Sequence, residues 1–120
     1  MAIHNPTLMD HFKNPRNAGE AERATAKAMV ENPACGDIML LSVRMEEGRV
    51  AEARYKTRGC VAAIAAGSAF TELLVGKDKA GLEALQAADI DQAVGGLIPE
   101  SKHAAVLCID TLKKLLKALH

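Results

Sequence analysis

Hydrophobic and polar positions follow two spacings along the chain, every second residue in the first half and helical intervals in the second. From Ile38 to Met45, the residues Met39, Leu41, Val43 and Met45 alternate with Ser42 and Arg44, the period of a strand with one buried face. Glu46-Glu47-Gly48-Arg49 turns the chain, and beyond it Ala51, Ala53 and Tyr55 alternate with Glu52, Arg54 and Lys56. Two such runs across a short turn predict an antiparallel hairpin. A further strand rich in Ala, Met and Val is expected near residues 26–31, after a loop over residues 14–24 marked by Pro15, Asn17 and Gly19. Past Gly59, Val61 to Val75 is apolar on nearly every side, with Gly67, Ser68 and Thr71 as small or weakly polar exceptions, which predicts a buried helix ending at Gly76. Two shorter helical pieces follow, Lys79 to Leu85 and Ile90 to Val94, the second capped by Asp89. After Gly95-Gly96 and Pro99, Ser101 is the expected cap of a last helix, whose stripe of Ala104, Cys108, Leu112 and Leu115 lies opposite Lys113, Lys114 and Lys117. At the other end, Pro6 to Phe12 forms a short helix with Leu8, Met9 and Phe12 as its apolar side. Strands followed by helices indicate an α+β fold.

Composition narrows this picture. With 120 residues the chain is long enough for one domain, and 49% of it is apolar while the only aromatics are Phe12, Tyr55 and Phe70. The core is therefore built from Ala, Val, Leu, Ile and Met. Fifteen basic and fifteen acidic residues balance, which removes the charge excess that non-specific nucleic-acid binding or an anionic membrane surface requires. No stretch approaches the roughly 18 apolar residues of a membrane span, Met1 to Asp10 does not read as a leader, and a cytoplasmic protein is expected. There is no internal repeat, and Gly67 lacks the Gly-Lys-Ser/Thr ending of a phosphate-binding loop.

Three cysteines at positions 35, 60 and 108 cannot close a disulfide framework and suit a reducing compartment, where spaced thiols suggest metal or sulfur chemistry. Cys35 lies in Asn32-Pro33-Ala34-Cys35-Gly36-Asp37, a tight loop between two strands. Gly36 there would let the backbone approach an ion, and Asp37 would supply a hard oxygen that leaves more readily than a thiolate; the bland reading is a turn with an incidental small residue. Cys60 precedes the buried helix, so the helix N-terminus and Arg58 are expected to make it the more ionised thiol; alternatively it is a small residue opening a core helix. Lys102 and His103 begin the last helix, where the imidazole could join the thiols and Asp37, although a lone histidine there is more often a solvated surface residue. Cys108 lies on the apolar stripe, and packing is its leading explanation.

The strings His11-Phe12-Lys13-Asn14-Pro15-Arg16-Asn17-Ala18-Gly19, Asn32 to Asp37, Gly59-Cys60 with Ala63-Ile64-Ala65-Ala66-Gly67-Ser68, and Gly95-Gly96-Leu97-Ile98-Pro99 with Lys102-His103 resemble, in order, the signatures of U-type iron-sulfur scaffolds, including the N-terminal domain of NifU. The resemblance implies a three-stranded antiparallel sheet with helices packed on one face and a metal site at its end. It also implies a function without turnover: a cysteine desulfurase supplies persulfide sulfur, iron enters, a [2Fe-2S] cluster forms, and chaperones promote its transfer to recipient apo-proteins. The implied ligands are Cys35, Asp37, Cys60 and His103, with Cys60 as candidate sulfur acceptor and Gly36 and Lys102 in support. One departure stands out. Where the family has His-Cys-Ser, this chain has His103-Ala104-Ala105, so the third thiol is missing, and Cys108 lies one helical turn, about 6 Å, beyond its place as an additional ligand candidate. Two other readings share these residues: a persulfide carrier working through Cys60, and a zinc protein whose ion takes two Cys, one His and one Asp. A homo-oligomer is compatible with the sequence.

Overall fold

A computed structural model describes residues 4–33 and 36–119. Helix α1 (Pro6–Lys13) leads into three strands, β1 (Ala26–Glu31), β2 (Ile38–Glu46) and β3 (Arg49–Arg58), followed by α2 (Val61–Leu74), α3 (Lys79–Glu83), α4 (Ala87–Ala93), a 3-10 turn Pro99–Ser101 and α5 (His103–Ala118). The sheet is antiparallel in the order β1-β2-β3, with Met29 opposite Leu40 and Leu40 opposite Lys56. Helices α2 and α5 pack against one face of it, as expected.

The predicted hairpin forms with one change of register. Arg44 faces Glu52 but Met45 faces Val50, so Ala51 is an extra residue on β3. This bulge exchanges the faces of its neighbours, and Val50 rather than the expected Ala51 is fully buried. Met39, Leu41 and Val43 of β2 meet Phe70, Leu74, Leu107, Leu112 and Leu115 of the helices in one core, where each such side chain contributes about 1.5–3 kcal/mol by leaving water. Close approach of helix and sheet depends on Gly67: a Cβ there would lie 2.3 Å from the Tyr55 ring. Tyr55 in turn donates its hydroxyl proton to the Ile64 carbonyl at 2.7 Å, and burial pushes its pKa up to about 12.

Two expected caps fall elsewhere. Helix α4 begins at Ala87, and Asp89 caps it from inside by accepting the Gln86 N–H at 2.8 Å. Ser101 closes the 3-10 turn, and α5 starts at His103 with Lys102 at its N-cap and no side-chain cap hydrogen bond. No helix among the described residues is long and apolar enough to cross a membrane.

The first sequence signature works as a brace. His11 Nδ1 lies 2.7 Å from Ser68 Oγ, which also accepts the Arg16 N–H at 2.9 Å, and Asn17 Nδ2 donates to Thr71 Oγ1 at 3.2 Å. Asn17 and Gly19 then hydrogen-bond both sides of Tyr55 on the outer edge of β3. The chain next crosses the sheet face opposite the helices, where Ala21 N–H donates to Ser42 Oγ and Glu20 bridges Lys27 and Lys56.

Candidate metal centre

Three chain segments meet at the end of the sheet away from the hairpin turn. Asp37 immediately precedes β2, Cys60 caps α2 just after β3, and His103 opens α5. Their donor atoms form a nearly equilateral triangle: Cys60 Sγ is 3.6 Å from Asp37 Oδ2 and 3.6 Å from His103 Nε2, and His103 Nε2 is 3.5 Å from Asp37 Oδ2. Donors of a tetrahedral ion bound at about 2.0–2.3 Å stand about 3.3–3.8 Å apart. The triangle thus already has the dimensions of three vertices around one metal ion. Asp37 is buried, His103 half-buried and Cys60 exposed, so the site opens to solvent on the sulfur side.

Local sequence explains the convergence. Asp37 is held by its backbone, whose carbonyl accepts the Asn32 N–H at 2.7 Å where β1 and β2 meet. Its carboxylate lies over Gly59, where a Cβ would sit 2.6 Å from Asp37 Cγ. Gly59 is therefore the residue that makes room for the carboxylate beside Cys60, a role that steric contact across the sheet reveals and spacing along the chain does not. Gly36 makes the turn before Asp37: its φ is +76°, its N–H donates to the Asn32 carbonyl at 2.7 Å, and an added Cβ would meet open space.

Of the two described thiols Cys60 is the less perturbed, although its pKa too is raised. Amide N–H groups of Ala63 and Ala62 at the start of α2 do favour a thiolate on Cys60, but burial and the adjacent Asp37 carboxylate outweigh them and raise the pKa of the thiol. The Cys60 thiol donates toward Asp37 Oδ2. Arg58, expected to help ionise the thiol, pairs with Ile38 across the sheet and lines the sheet face opposite the helices.

The other candidates separate clearly. Lys102 turns to Asp91, which also accepts the Leu97 N–H, so its ammonium braces the loop before α5. Cys108 is fully buried in the core, where desolvation pushes its thiol up strongly, and it is not part of the donor cluster. Ala104 is equally buried and offers no donor. Cys35 lies outside the described residues, between Pro33 and Gly36. A soft thiolate, an imidazole and a carboxylate at this spacing fit zinc, ferrous iron or the iron of a cluster.

The chain is 39% identical over 116 residues to the iron-sulfur cluster assembly scaffold protein IscU of Aquifex aeolicus, spanning 95% of this chain and 74% of that protein. It is 37% identical over 110 residues to the IscU of Escherichia coli K12, spanning 88% and 85%. Its fold matches the crystal structure of a putative iron-sulfur cluster assembly scaffold protein for the SUF system from Fervidobacterium islandicum AW-1, with a TM-score of 0.77 over 94% of this chain and 96% of that one at 20% identity. The N-terminal part of a nitrogen-fixing NifU-like protein from Brucella abortus superposes with a TM-score of 0.64 at 21% identity, covering 95% and 79%. Residues 3–119 match the model of the NifU-like N terminal domain, and the chain belongs to that family.

Proposed function

We propose that this chain is a non-catalytic scaffold on which iron-sulfur clusters, of the [2Fe-2S] type, are assembled and from which they are handed to apo-proteins. The observation that carries this reading is the meeting of Asp37, Cys60 and His103 within 3.6 Å of one another at an open end of the sheet. Cys35, two residues before Asp37 in the sequence, supplies the second thiolate. Iron and sulfide are the cargo, and each residue has a distinct task. The thiolates bind the soft metal, His103 adds a neutral nitrogen, and Asp37 contributes an oxygen that releases readily, so the shell holds a cluster less firmly than four thiolates would. With Ala104 in place of a third thiol, Cys60 also becomes the sulfur acceptor: its thiolate attacks the outer sulfur of a desulfurase persulfide, forming a new S–S bond and releasing the desulfurase thiolate. A cysteine desulfurase, a chaperone and recipient apo-proteins are the partners this role requires, and the cytoplasm is its setting.

The triangle of donors favours a second occupancy, a single tetrahedral Zn²⁺ or Fe²⁺ held by the same residues when no sulfide is supplied. Anaerobic reconstitution with ferrous iron and sulfide tests the scaffold reading. It predicts a coloured protein carrying iron and sulfide in equal amounts, with the colour lost in Cys60→Ser. A colourless product without stoichiometric iron contradicts it, and a domain that unfolds when zinc is chelated points instead to a structural zinc site.

A further inference from the structure

Segment 18–25 covers only the hairpin half of the outward sheet face, with the Lys27–Glu20–Lys56 bridge as its boundary. Beyond that bridge, toward the metal centre, Met29 is 57% exposed beside the half-buried Leu40 and Ile38. Together with Lys56, Thr57 and Arg58 these residues line an open notch of about 280 Å³. Its floor of Met29, Ile38 and Leu40 offers apolar surface to an aliphatic side chain. Its rim is asymmetric in charge: Lys56 and Arg58 stand on the β3 side and Glu31 at the β1 corner. Among the described residues no carboxylate forms an ion pair with Arg58, in a chain whose net charge is zero. β1 itself is pinned from behind, where Lys114 Nζ donates to the Met29 carbonyl at 2.9 Å.

We propose that this half of the sheet face docks an acidic segment of a partner protein, with one aliphatic side chain in the notch over Met29 and Leu40 and a carboxylate over Arg58. A confined apolar notch is too small for stable lodging on a lipid surface, and the residues lining it include no aromatic on which a base could stack. Arg58 lies two residues before Cys60, so a partner docked here stands next to the metal centre. In assigning that partner to cargo exchange the inference rests on the scaffold reading, whereas the docking itself does not depend on what the site holds.

The test uses the metal-free full chain and a fluorescein-labelled peptide with a single leucine flanked by aspartates, read by fluorescence anisotropy. Expected are saturable binding that weakens at high salt, a loss of about tenfold or more in both Met29→Glu and Arg58→Glu, and no loss in the charge-matched Lys113→Glu on exposed α5 surface. Both test positions are solvent-facing, and circular dichroism checks their folding. Absence of saturable binding, equal binding of a peptide with lysines in place of the aspartates, equal affinity of the Arg58→Glu and Lys113→Glu proteins, or attachment to phosphatidylserine vesicles but not to the peptide overturns the proposal. Because no iron is present, failure here is distinguishable from failure to assemble a cluster.

Discussion

At the scale of single residues, the metal centre depends on a missing side chain as much as on those that bind. Gly59 lets the Asp37 carboxylate approach Cys60 from across the sheet, and a methyl group in its place would collide with Asp37 Cγ at 2.6 Å. Relieving the clash moves the carboxylate relative to the sulfur. Gly59→Ala is therefore expected to weaken zinc or ferrous iron binding by about 10–100-fold, the range seen when a ligand loses its support. Competition with a chromogenic chelator measures this, and an unchanged melting temperature beside the lost affinity separates displacement of the ligand from general destabilisation. Ala104 and Cys108 show the opposite situation: both are buried, so the donor set lies in front of α5 and the third sulfur of the chain belongs to the core.

At the scale of elements, period-two alternation made β2 and most of β3 readable because each strand buries one face, and the apolar run after Cys60 made α2 readable because it is covered on most sides. The bulge at Ala51 was not readable, since the register of a hairpin is set by cross-strand packing that an alternating string does not encode. The start of α4 was misplaced for a related reason: Asp89 favours a cap position, but it reaches the Gln86 amide from within the first turn. Ligand candidates at residues 37, 60 and 103 were legible as types, while their meeting, and the part of Gly59 in it, arise from tertiary contact. The brace between α1 and α2 carries its own prediction. His11 is buried against Ser68, whose oxygen already accepts the Arg16 N–H, and burial followed by the Arg16 charge lowers the His11 pKa below its ordinary value. A histidine depressed in the folded state contributes stability that is fully present above its unfolded pKa of about 6.5 and is lost as pH falls toward the folded value. Urea denaturation midpoints should therefore fall below pH 6.5 more steeply in the parent protein than in His11→Gln; equal slopes would remove His11 from the acid response.

At the scale of the molecule, the helices cover one sheet face, segment 18–25 covers half of the other, and the three donors lie at the end where both coverings stop. A cargo held there is reachable by partners, which a scaffold needs and a resident cofactor does not. One buried core joins β2, β3, α2 and α5, and the His11–Ser68 brace ties α1 to α2. The most direct measurement is a crystal structure of the iron- and sulfide-loaded protein with anomalous scattering recorded at the iron edge. The account predicts an iron peak within about 2.5 Å of Cys60 Sγ, flanked by His103 and Asp37. Iron bound elsewhere, with Cys60 free of metal, would contradict it.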